Sequence, residues 1–404
     1  MIRHFKQNIV TVVFLLVLAV VCLSTLIFGV KTYGATLLSH NSKLPENANI
    51  FDHFSVFKTN FESATNTAVA FKDEFINVFG VTQKMLNMKR VEDPNSNNTV
   101  YIMRNGQLVF LTPEDESIEE KAQNILELRR KLSNNNTPFM YVNAPCKINK
   151  YDDERFFDGA IDYANQNADN LLNILNSNAT ETMDLRENVY NSELNYDDLF
   201  FATDHHWKTQ SAFWAYSEIA KKISDDFNLK IDEDYLDINN FNQYFYKNKL
   251  LGSQGSRVGS SFAGRDDYTL ITPKFETNYK VSILRSNGNV VLREGDFEKS
   301  ILAIGVPKNG FFEKIHYARY LSADEPKVEI ENSLKSDGNI LIVQDSFGSP
   351  VSAFLSLHYN HTTVLDLRAY KFESLFEYLD ENKFDLVIML YNTGVQSKNL
   401  FEFK

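Results

Sequence analysis

The fold is decided by residues 339–392, which read NILIVQDSFGSPVSAFLSLHYNHTTVLDLRAYKFESLFEYLDENKFDLVIMLYN. Unbroken apolar runs alternate here with stretches of helical length. The strand-like runs are Asn339–Val343, Thr363–Leu367 and Leu386–Leu390, and the helical stretches between them are Val351–His358 and Phe372–Leu379. Continuous apolar strands are typical of parallel sheets buried on both faces. The pattern therefore predicts a doubly wound, mostly parallel α/β sheet.

The alternation begins well before this stretch, so the folded α/β domain is predicted to span residues 95–404. Two apolar runs flank Asn105-Gly106 in VYIMRNGQLVFL, which predicts a β-hairpin with a type I′ turn. The elements predicted next are a helix over Ser117–Leu132, a strand over Pro138–Ala144 and a helix over Ile161–Leu175. Residues 235–330 are richer in Gly, Asn and Tyr with short β-type runs, which predicts a strand-rich insertion.

Residues 1–31 are predicted to form a cytoplasmic N-terminus and a transmembrane anchor. Ile9–Val30 carries no charge and is long enough to cross a hydrocarbon core of roughly 30 Å. Arg3 and Lys6 precede it, so the positive-inside rule places the main domain outside the cytoplasm. A cleaved secretory signal is the alternative, although such signals have shorter apolar cores and a clear cleavage site. Phenylalanines at helical spacing predict a helical stalk or packing region over residues 32–94.

The composition of the 404-residue chain argues against several classes of protein. A formal charge of −12 gives a surface that repels phosphate backbones, so nucleic acid is not an expected partner. Cys22 and Cys146 are the two cysteines, which is too few for a disulfide framework or a cysteine-based zinc site. The block GSQGSRVG at 252–259 lacks the lysine of a phosphate-binding loop, so we expect a tight surface loop and no cofactor. Arg257 is expected to be solvated, and the alternative is that it lines the cleft.

Ser346 follows the strand-like run 339–343 in the sequence QDSFGSP. In doubly wound sheets, functional groups lie just past the carboxyl ends of strands. A serine at a strand-to-helix turn presents its hydroxyl, and N–H groups at the helix start can stabilise an oxyanion. The alternative is that Ser346 or Ser349 only caps the helix, with Pro350 at its first position.

Asp204 and His206 lie in TDHHW, immediately before a predicted helix for which Thr209 is the candidate N-cap. A serine hydroxyl needs a histidine to take its proton, and that histidine needs a carboxylate to orient it. Asp-x-His at one corner supplies both groups. Metal binding by Asp204, His205 and His206 is a competing interpretation, but adjacent residues in an extended segment point to opposite sides, so no metal is expected.

The TDHHW sequence resembles the signature of the DHHW protein family, which is similar to the SGNH-hydrolase-like proteins of alginate and exopolysaccharide O-acetylation. The resemblance extends to 252–264, Asp266-Asp267, Asp345-Ser346, Leu365–Arg368 and Tyr391-Asn392. It implies an SGNH-hydrolase-like domain in which Ser346 is the nucleophile, His206 the general base and Asp204 its orienting partner. His205 is the alternative base if the pairing is shifted by one residue.

The same resemblance implies further roles around these three residues. The substrate or oxyanion candidates are Asn392, Arg368, Tyr391 and Trp207. Because acetyl groups are small and sugars are polar, we also expect a shallow, open cleft lined by Tyr370, Tyr391 and Trp207. Gln344 stands where SGNH hydrolases have a glycine, which leaves the Ser346 N–H as the safest oxyanion donor.

Two functions follow as hypotheses. The first is acetyl transfer to, or removal from, a cell-surface or secreted polysaccharide through an acetyl-enzyme, with a multi-pass membrane protein supplying acetyl groups. The second is a non-catalytic glycan-binding or scaffold protein of a polysaccharide export or cell-envelope complex, which the departure at Gln344 leaves open as the alternative.

Overall fold

The computed structural model describes residues 2–38, 49–92, 99–152, 156–157, 159–303, 317, 319–321, 324–395 and 398–404. The chain divides into two compact units, Met1–Phe79 and Gly80–Lys404. The polar segment at 93–98 and part of the predicted insertion, including 304–316, lie outside the described residues.

The first unit is helical. Helix α1 spans Ile2–Leu38, α2 spans Ile50–Ala68, and α3 begins in this unit and spans Lys72–Met85. Within α1, Ile9–Ile27 has a mean hydropathy of 3.0 and nearly all of it is exposed, so this segment can cross a membrane by length and composition. Its direction across a membrane stays a prediction.

Helix α2 runs back along α1. The Tyr33 ring stacks on Phe61 with centroids 5.4 Å apart, and the Ala70 N–H donates to Thr25 Oγ1 at 3.1 Å. The predicted phenylalanine stripe is helical, but most of it faces away from this contact, since Phe51 is 79% exposed and Phe54 is 68% exposed.

The second unit is the α/β domain. Its strands are β1 (Arg90–Glu92), β2 (Thr99–Ile102), β3 (Leu108–Val109), β4 (Phe139–Ala144), β5 (Glu181–Asp184), β6 (Phe241–Leu250), β7 (Asp266–Pro273), β8 (Tyr279–Leu284), β9 (Val290–Gly295), β10 (Lys327–Asn332), β11 (Asn339–Gln344), β12 (His361–Leu365) and β13 (Leu386–Asn392). Its helices are α4 (Ile118–Asn134), α5 (Ala164–Ser177), α6 (Leu185–Tyr190), α7 (Thr209–Phe227), α8 (Ser253–Val258), α9 (Ser260–Ala263), α10 (Phe297–Ser300), α11 (Gly348–Leu355) and α12 (Leu375–Glu381).

The main sheet has eight strands in the order β5-β4-β13-β11-β12-β10-β8-β9. The first five run parallel, and Ile342 lies opposite Val364 on one side and Ile388 on the other. The last three pair antiparallel, so the predicted strand-rich segment adds β8 and β9 to the edge of the same sheet. The prediction of a doubly wound, mostly parallel α/β sheet is confirmed, with an antiparallel edge that makes the sheet mixed.

Side chains that alternate along β11 enter two separate cores. Ile340 and Ile342 pack on the side that also buries residues of α7 and α11. Leu341 and Val343 pack on the other side with residues of α4, α5 and α12. Burial on both faces explains why the parallel strands read as unbroken apolar runs. It also leaves the carboxyl end of β11 as the place where polar groups can be presented.

The turn at Asn105-Gly106 differs from the prediction. A type I′ turn needs positive φ at both central residues, but of these two only Gly106 has it, at 83°. The Gly106 N–H donates to Met103 O at 2.9 Å, so the turn spans Met103–Gly106 and Gly106 takes the left-handed position after it. The hairpin between β2 and β3 is confirmed, and the type I′ turn is wrong because the loop is one residue longer.

Candidate active site

Ser346 lies in the short connection between β11 and α11 and is half-buried. The Asp345 carboxylate fixes this connection, accepting the N–H of Phe347 at 2.9 Å and the N–H of Asn392 at 2.8 Å. Burial raises the pKa of Asp345 to about 6. Phe347 is the N-cap residue of α11, so the alternative in which Ser346 or Ser349 only caps the helix is wrong.

The Asp204–His206 segment is a bend held at its base by backbone pairing. Phe200 and Trp207 form an isolated antiparallel bridge, and the Phe201 N–H donates to His206 O at 3.2 Å. Lys208, and not the expected Thr209, is the N-cap residue of α7, since Thr209 already belongs to the helix. The bend therefore projects Asp204 and His206 from a rigid corner.

Ser346, His206 and Asp204 form a chain of hydrogen bonds. Ser346 Oγ lies 2.7 Å from His206 Nε2, and His206 Nδ1 lies 2.5 Å from Asp204 Oδ1. Burial opposes ionisation of Asp204, but the hydrogen bond and charge of His206 hold its pKa well below its usual range. Asp204 is therefore an anion that fixes the imidazole, and the other ring nitrogen faces the serine hydroxyl. Such an arrangement can move a proton from the hydroxyl to the imidazole.

His205 lies beside this chain and not in it. Its Nδ1 is 2.9 Å from Ser253 Oγ and 3.6 Å from Asp204 Oδ1. Although 44% of its side chain is exposed, partial burial and the charge of His206 lower its pKa, which leaves the ring neutral at pH 7. The geometry favours His206 over His205 as the base, because His206 is the residue bonded to Ser346.

The expectation that His205 and His206 point to opposite sides is wrong. Their ring centroids are 3.8 Å apart because the segment bends and is not extended. Donor atoms of Asp204, His205 and His206 lie within 4.8 Å of one another, a spacing that could hold a metal ion. However, Asp204 and His206 already satisfy each other at hydrogen-bond distance, so an ion would have to replace that bond.

The Ser346 N–H is available to an oxyanion. Within the part of the chain that the structure describes, this N–H has no hydrogen-bond acceptor. Asn392, the second candidate donor, contributes its side-chain amide to Pro145 O at 3.1 Å and accepts the Gly394 N–H at 2.8 Å. The bond to Pro145 uses one of the two N–H groups of the Asn392 amide and holds the amide in place, which leaves the second N–H as a donor.

Whereas the Ser346 hydroxyl faces His206, the Gln344 side chain packs under helix α11. This side chain is buried, and its amide hydrogen-bonds with Ser349 and Ser352 under the first turn of α11. A Cβ at Gly348 would meet Gln344 Oε1 at 2.4 Å, so the helix can begin there because residue 348 is glycine. Gln344, at the end of β11, thus places a side chain where SGNH hydrolases have a glycine. That side chain fits because Gly348, at the start of α11, has no Cβ.

The aromatic residues expected to line the cleft lie elsewhere. Tyr391 is fully buried and donates to Leu400 O at 2.7 Å, since it points to the opposite face of β13 from Asn392. Trp207 is 1% exposed and packs in the core, and Tyr370 is buried and donates to Glu373 at 2.6 Å. The expectation that these three line an open cleft is wrong.

Arg368 is held by carboxylates. Its guanidinium donates to both oxygens of Asp366 and, at 3.0 Å, to Asp324. Burial by itself would lower the pKa of Arg368, but the hydrogen bonds and charges of these carboxylates outweigh it and raise the pKa above the ordinary value. Arg186 shows the same pairing with Asp184, two residues earlier in the chain. Arg368 therefore stabilises the turn after β12, and contact with a substrate would compete with two acidic partners.

Asp266 and the 252–258 segment support Asp204, which the sequence did not suggest. Asp266 accepts the N–H groups of Ala202 and Thr203 at 2.7 and 2.8 Å, so it fixes the residues just before Asp204. The Ser253 N–H donates to Asp204 Oδ2 at 2.7 Å. The expected surface loop is wrong here, because the segment forms α8 and packs directly on the acid of the hydrogen-bond chain.

Tyr317 is a further residue at this site that the sequence did not indicate. Its ring lies parallel to the His206 ring, with centroids 3.8 Å apart and 8° between the planes. Its hydroxyl accepts the Trp207 Nε1–H at 3.0 Å, and burial raises its pKa. Tyr317 therefore restricts the tilt of the histidine that faces Ser346.

Comparison with known proteins agrees with this architecture. Residues 106–256 match the family model described as an SGNH hydrolase-like domain of the acetyltransferase AlgX. No curated protein sequence matches the chain.

Three solved structures have a similar fold. PatB1 of Bacillus cereus is 23% identical with a TM-score of 0.63, covering 76% of this chain and 100% of that one. Its sulfonyl adduct gives 22% identity, the same TM-score, and coverage of 76% and 97%. A DHHW family protein of Eubacterium siraeum is 15% identical with a TM-score of 0.56, covering 78% and 96%. The chain therefore carries an SGNH hydrolase-like α/β domain, and the resemblance to DHHW and SGNH-hydrolase-like proteins is confirmed.

Proposed function

We propose that this protein is an extracytoplasmic O-acyltransferase or esterase that moves acetyl groups on a polysaccharide, with Ser346 as its nucleophile. The observation that carries the proposal is the hydrogen-bond chain from Ser346 Oγ through His206 to Asp204, at 2.7 and 2.5 Å. The match of residues 106–256 to the acetyltransferase AlgX domain supports acetyl transfer as the reaction.

The first half of the reaction forms an acetyl-enzyme. Ser346 Oγ attacks the acetyl carbonyl carbon while His206 Nε2 takes the hydroxyl proton, and Asp204 stabilises the imidazolium. The carbonyl oxygen becomes an oxyanion, for which the Ser346 N–H is the nearest proposed donor. The bond to the leaving group then breaks, and His206 returns the proton to the departing oxygen.

The second half depends on the acceptor. A sugar hydroxyl gives its proton to His206 Nε2 and attacks the acetyl-serine, which yields an acetylated sugar and restores the Ser346 hydroxyl. Water in the same role yields acetate, and the enzyme is then an esterase. Both outcomes use the same three residues, so the acceptor that reaches the acetyl-serine decides which reaction occurs.

The apolar segment Ile9–Ile27 supports a location at the cell envelope. With Arg3 and Lys6 on the cytoplasmic side, the α/β domain would lie outside, where exported polysaccharides are found. Acetyl donors made in the cytoplasm would then have to cross the membrane. We therefore propose a multi-pass membrane protein as the partner that delivers acetyl groups.

The test uses the full chain in detergent micelles with p-nitrophenyl acetate, followed by absorbance. We expect turnover and an acetyl mass on the Ser346 peptide, and both should be lost in Ser346→Ala and in His206→Ala. Ser349→Ala is the matched control, because this neighbouring serine contacts Gln344 and not His206. Equal rates in all four proteins would refute the serine mechanism and favour a non-catalytic glycan-binding or scaffold role.

A further inference from the structure

A cavity of about 290 Å³ lies beside the Ser346–His206–Asp204 chain. His205, Ser253 and Asn392 belong to its wall and also contact members of that chain or the loop that holds Ser346. The volume is that of roughly ten liquid water molecules, at the small end of ligand pockets. An acetyl group alone would fill a small part of it, so the cavity has room for a larger group next to the reacting atoms.

One buried donor in the wall has no partner. Gln254 is 1% exposed, and among the described residues nothing hydrogen-bonds its Nε2. Its Oε1, in contrast, accepts from Lys147 Nζ at 3.3 Å. A buried amide donor without an acceptor is destabilising, and a ligand oxygen that accepted a hydrogen bond from it would remove that cost.

Lys147 and Asp162, two charged residues of the wall, already have hydrogen-bond partners within the protein. Lys147 Nζ donates to Leu108 O at 2.6 Å and to Ala202 O at 3.1 Å, and burial lowers its pKa to about 7. The Asp162 carboxylate accepts two backbone N–H groups, those of Thr112 and Ala164. These groups therefore build the wall and are not the groups that a ligand would first meet.

Arg257 adds a guanidinium to the same wall, whereas a solvated side chain was expected. Its guanidinium carbon lies 5.2 Å from the centroid of the Phe110 ring, which limits the positions that the cation can take. The cavity thus combines a guanidinium, an orphan amide donor, a hydroxyl and a neutral imidazole with apolar ring surface. Several converging donors beside an apolar face suit a ring that carries many oxygen atoms.

We propose that this cavity binds one sugar ring of the acceptor, with Gln254 Nε2 and Arg257 donating to its oxygens and one of its hydroxyls directed past His205 to Ser346. This inference rests on the proposed function for the identity of the ligand as an acceptor. A larger groove of about 590 Å³ lies over β8, β9, β10 and β12, but its wall contains none of the residues His205, Ser253 and Asn392 that contact the hydrogen-bond chain or its loop. The smaller cavity is therefore the one from which a hydroxyl can meet an acetyl-serine.

Two substitutions separate the donors from the rest of the wall. Gln254→Glu keeps an oxygen for Lys147 and replaces the orphan donor with an acceptor. Arg257→Gln removes the guanidinium, and Arg265→Gln is the matched control, since Arg265 is exposed and outside the cavity. The probes are the methyl glycosides of glucose, N-acetylglucosamine and glucuronic acid, which are neutral, N-acylated and acidic.

The first measurement is binding of each glycoside to full-length Ser346→Ala in micelles by isothermal titration calorimetry. At least one glycoside should bind, and adding Gln254→Glu or Arg257→Gln should weaken it on the order of tenfold, as expected for losing one hydrogen bond to a polar or charged group. Arg265→Gln should leave binding unchanged. If no glycoside binds, or if both cavity variants bind as Ser346→Ala does, the cavity is not a sugar site.

The second measurement separates this inference from the proposed function. In proteins with Ser346 intact, p-nitrophenyl acetate hydrolysis reports the serine mechanism, and acetylation of the glycoside reports use of the cavity. We expect both cavity variants to raise the KM for the glycoside by a larger factor than they change the kcat or the KM for p-nitrophenyl acetate. If the wild type does not hydrolyse p-nitrophenyl acetate but the sugar still binds, the enzyme mechanism is refuted and the sugar site stands. If hydrolysis occurs and the KM for the glycoside is unchanged in both variants, the sugar site alone is refuted.

Discussion

Gly252→Ala should disable the Ser346–His206–Asp204 hydrogen-bond chain, although Gly252 is not one of its three residues. A Cβ at this position would lie 2.2 Å from Asp204 Cβ and 2.5 Å from Asp204 Oδ2. Ordinary contact begins at 3.4 Å, so Asp204 or α8 must move by about 1.2 Å. The Asp204 carboxylate is the part that would leave its place, because it is packed between this glycine and His206.

The size of the effect follows from what the carboxylate does. A displacement of about 1 Å at a reacting group costs on the order of 10²-fold, and full loss of the orienting carboxylate costs up to about 10⁴-fold. We therefore expect kcat for p-nitrophenyl acetate to fall between these limits. Overpacking of this kind destabilises proteins by about 1–3 kcal/mol, so the variant should still fold.

The assay compares kcat and the thermal midpoint of wild type, Gly252→Ala and Gly34→Ala in micelles. Gly34 is the steric control, because a Cβ there meets nothing within 4 Å. Gly34→Ala should keep its activity. A folded Gly252→Ala protein that keeps kcat within about threefold of wild type would show that the acid tolerates displacement, and the role given to Asp204 would be wrong.

Two further predictions concern protons and metals. Burial raises the pKa of Asp345 from 3.8 to about 6, so its contribution to stability is complete below pH 4 and is lost as the pH rises through 6. Between pH 4 and 7 the thermal midpoint of wild type should therefore fall relative to that of Asp345→Asn, by a shift equivalent to about 3 kcal/mol in the free energy of unfolding. A difference between the two midpoints that does not change with pH would contradict this. Hydrolysis should survive EDTA dialysis and His205→Gln within about tenfold; loss of activity restored by Zn²⁺ would instead assign Asp204, His205 and His206 to a metal.

The strands and the three residues of the hydrogen-bond chain could be predicted because their signals are local. An unbroken apolar run such as Leu386–Leu390 identifies a strand buried on both faces, and the polar residues after such runs identify the functional edge. Asp204 and His206 are two residues apart, so one bend brings them together. Ser346 is distant in sequence, but it follows β11, which has a parallel partner on each side.

The exposure of a residue such as Tyr391 could not be predicted, because it depends on which face of the strand its side chain points to. Tyr391 and Asn392 are neighbours, but the Tyr391 side chain points into the core, whereas the Asn392 side chain lies at the cavity wall and contacts Pro145. The contribution of Asp266 was hidden for another reason. Its contacts with Ala202 and Thr203 depend on where β7 begins relative to a loop far away in the chain, and no local pattern records that distance.

The close approach of α8 to the acid loop also constrains how the sequence can vary. A Cβ at Gly255 would lie 2.7 Å from Thr203 Cβ, just as one at Gly252 would overlap Asp204. The pair of glycines therefore belongs to the same signature as the Asp-x-His motif, although the two segments are separated by all of α7 and β6. A search for related proteins that requires both segments would be more selective than one that uses the four-letter motif alone. A relative with larger residues at both glycine positions would have to carry its acid on a different backbone path.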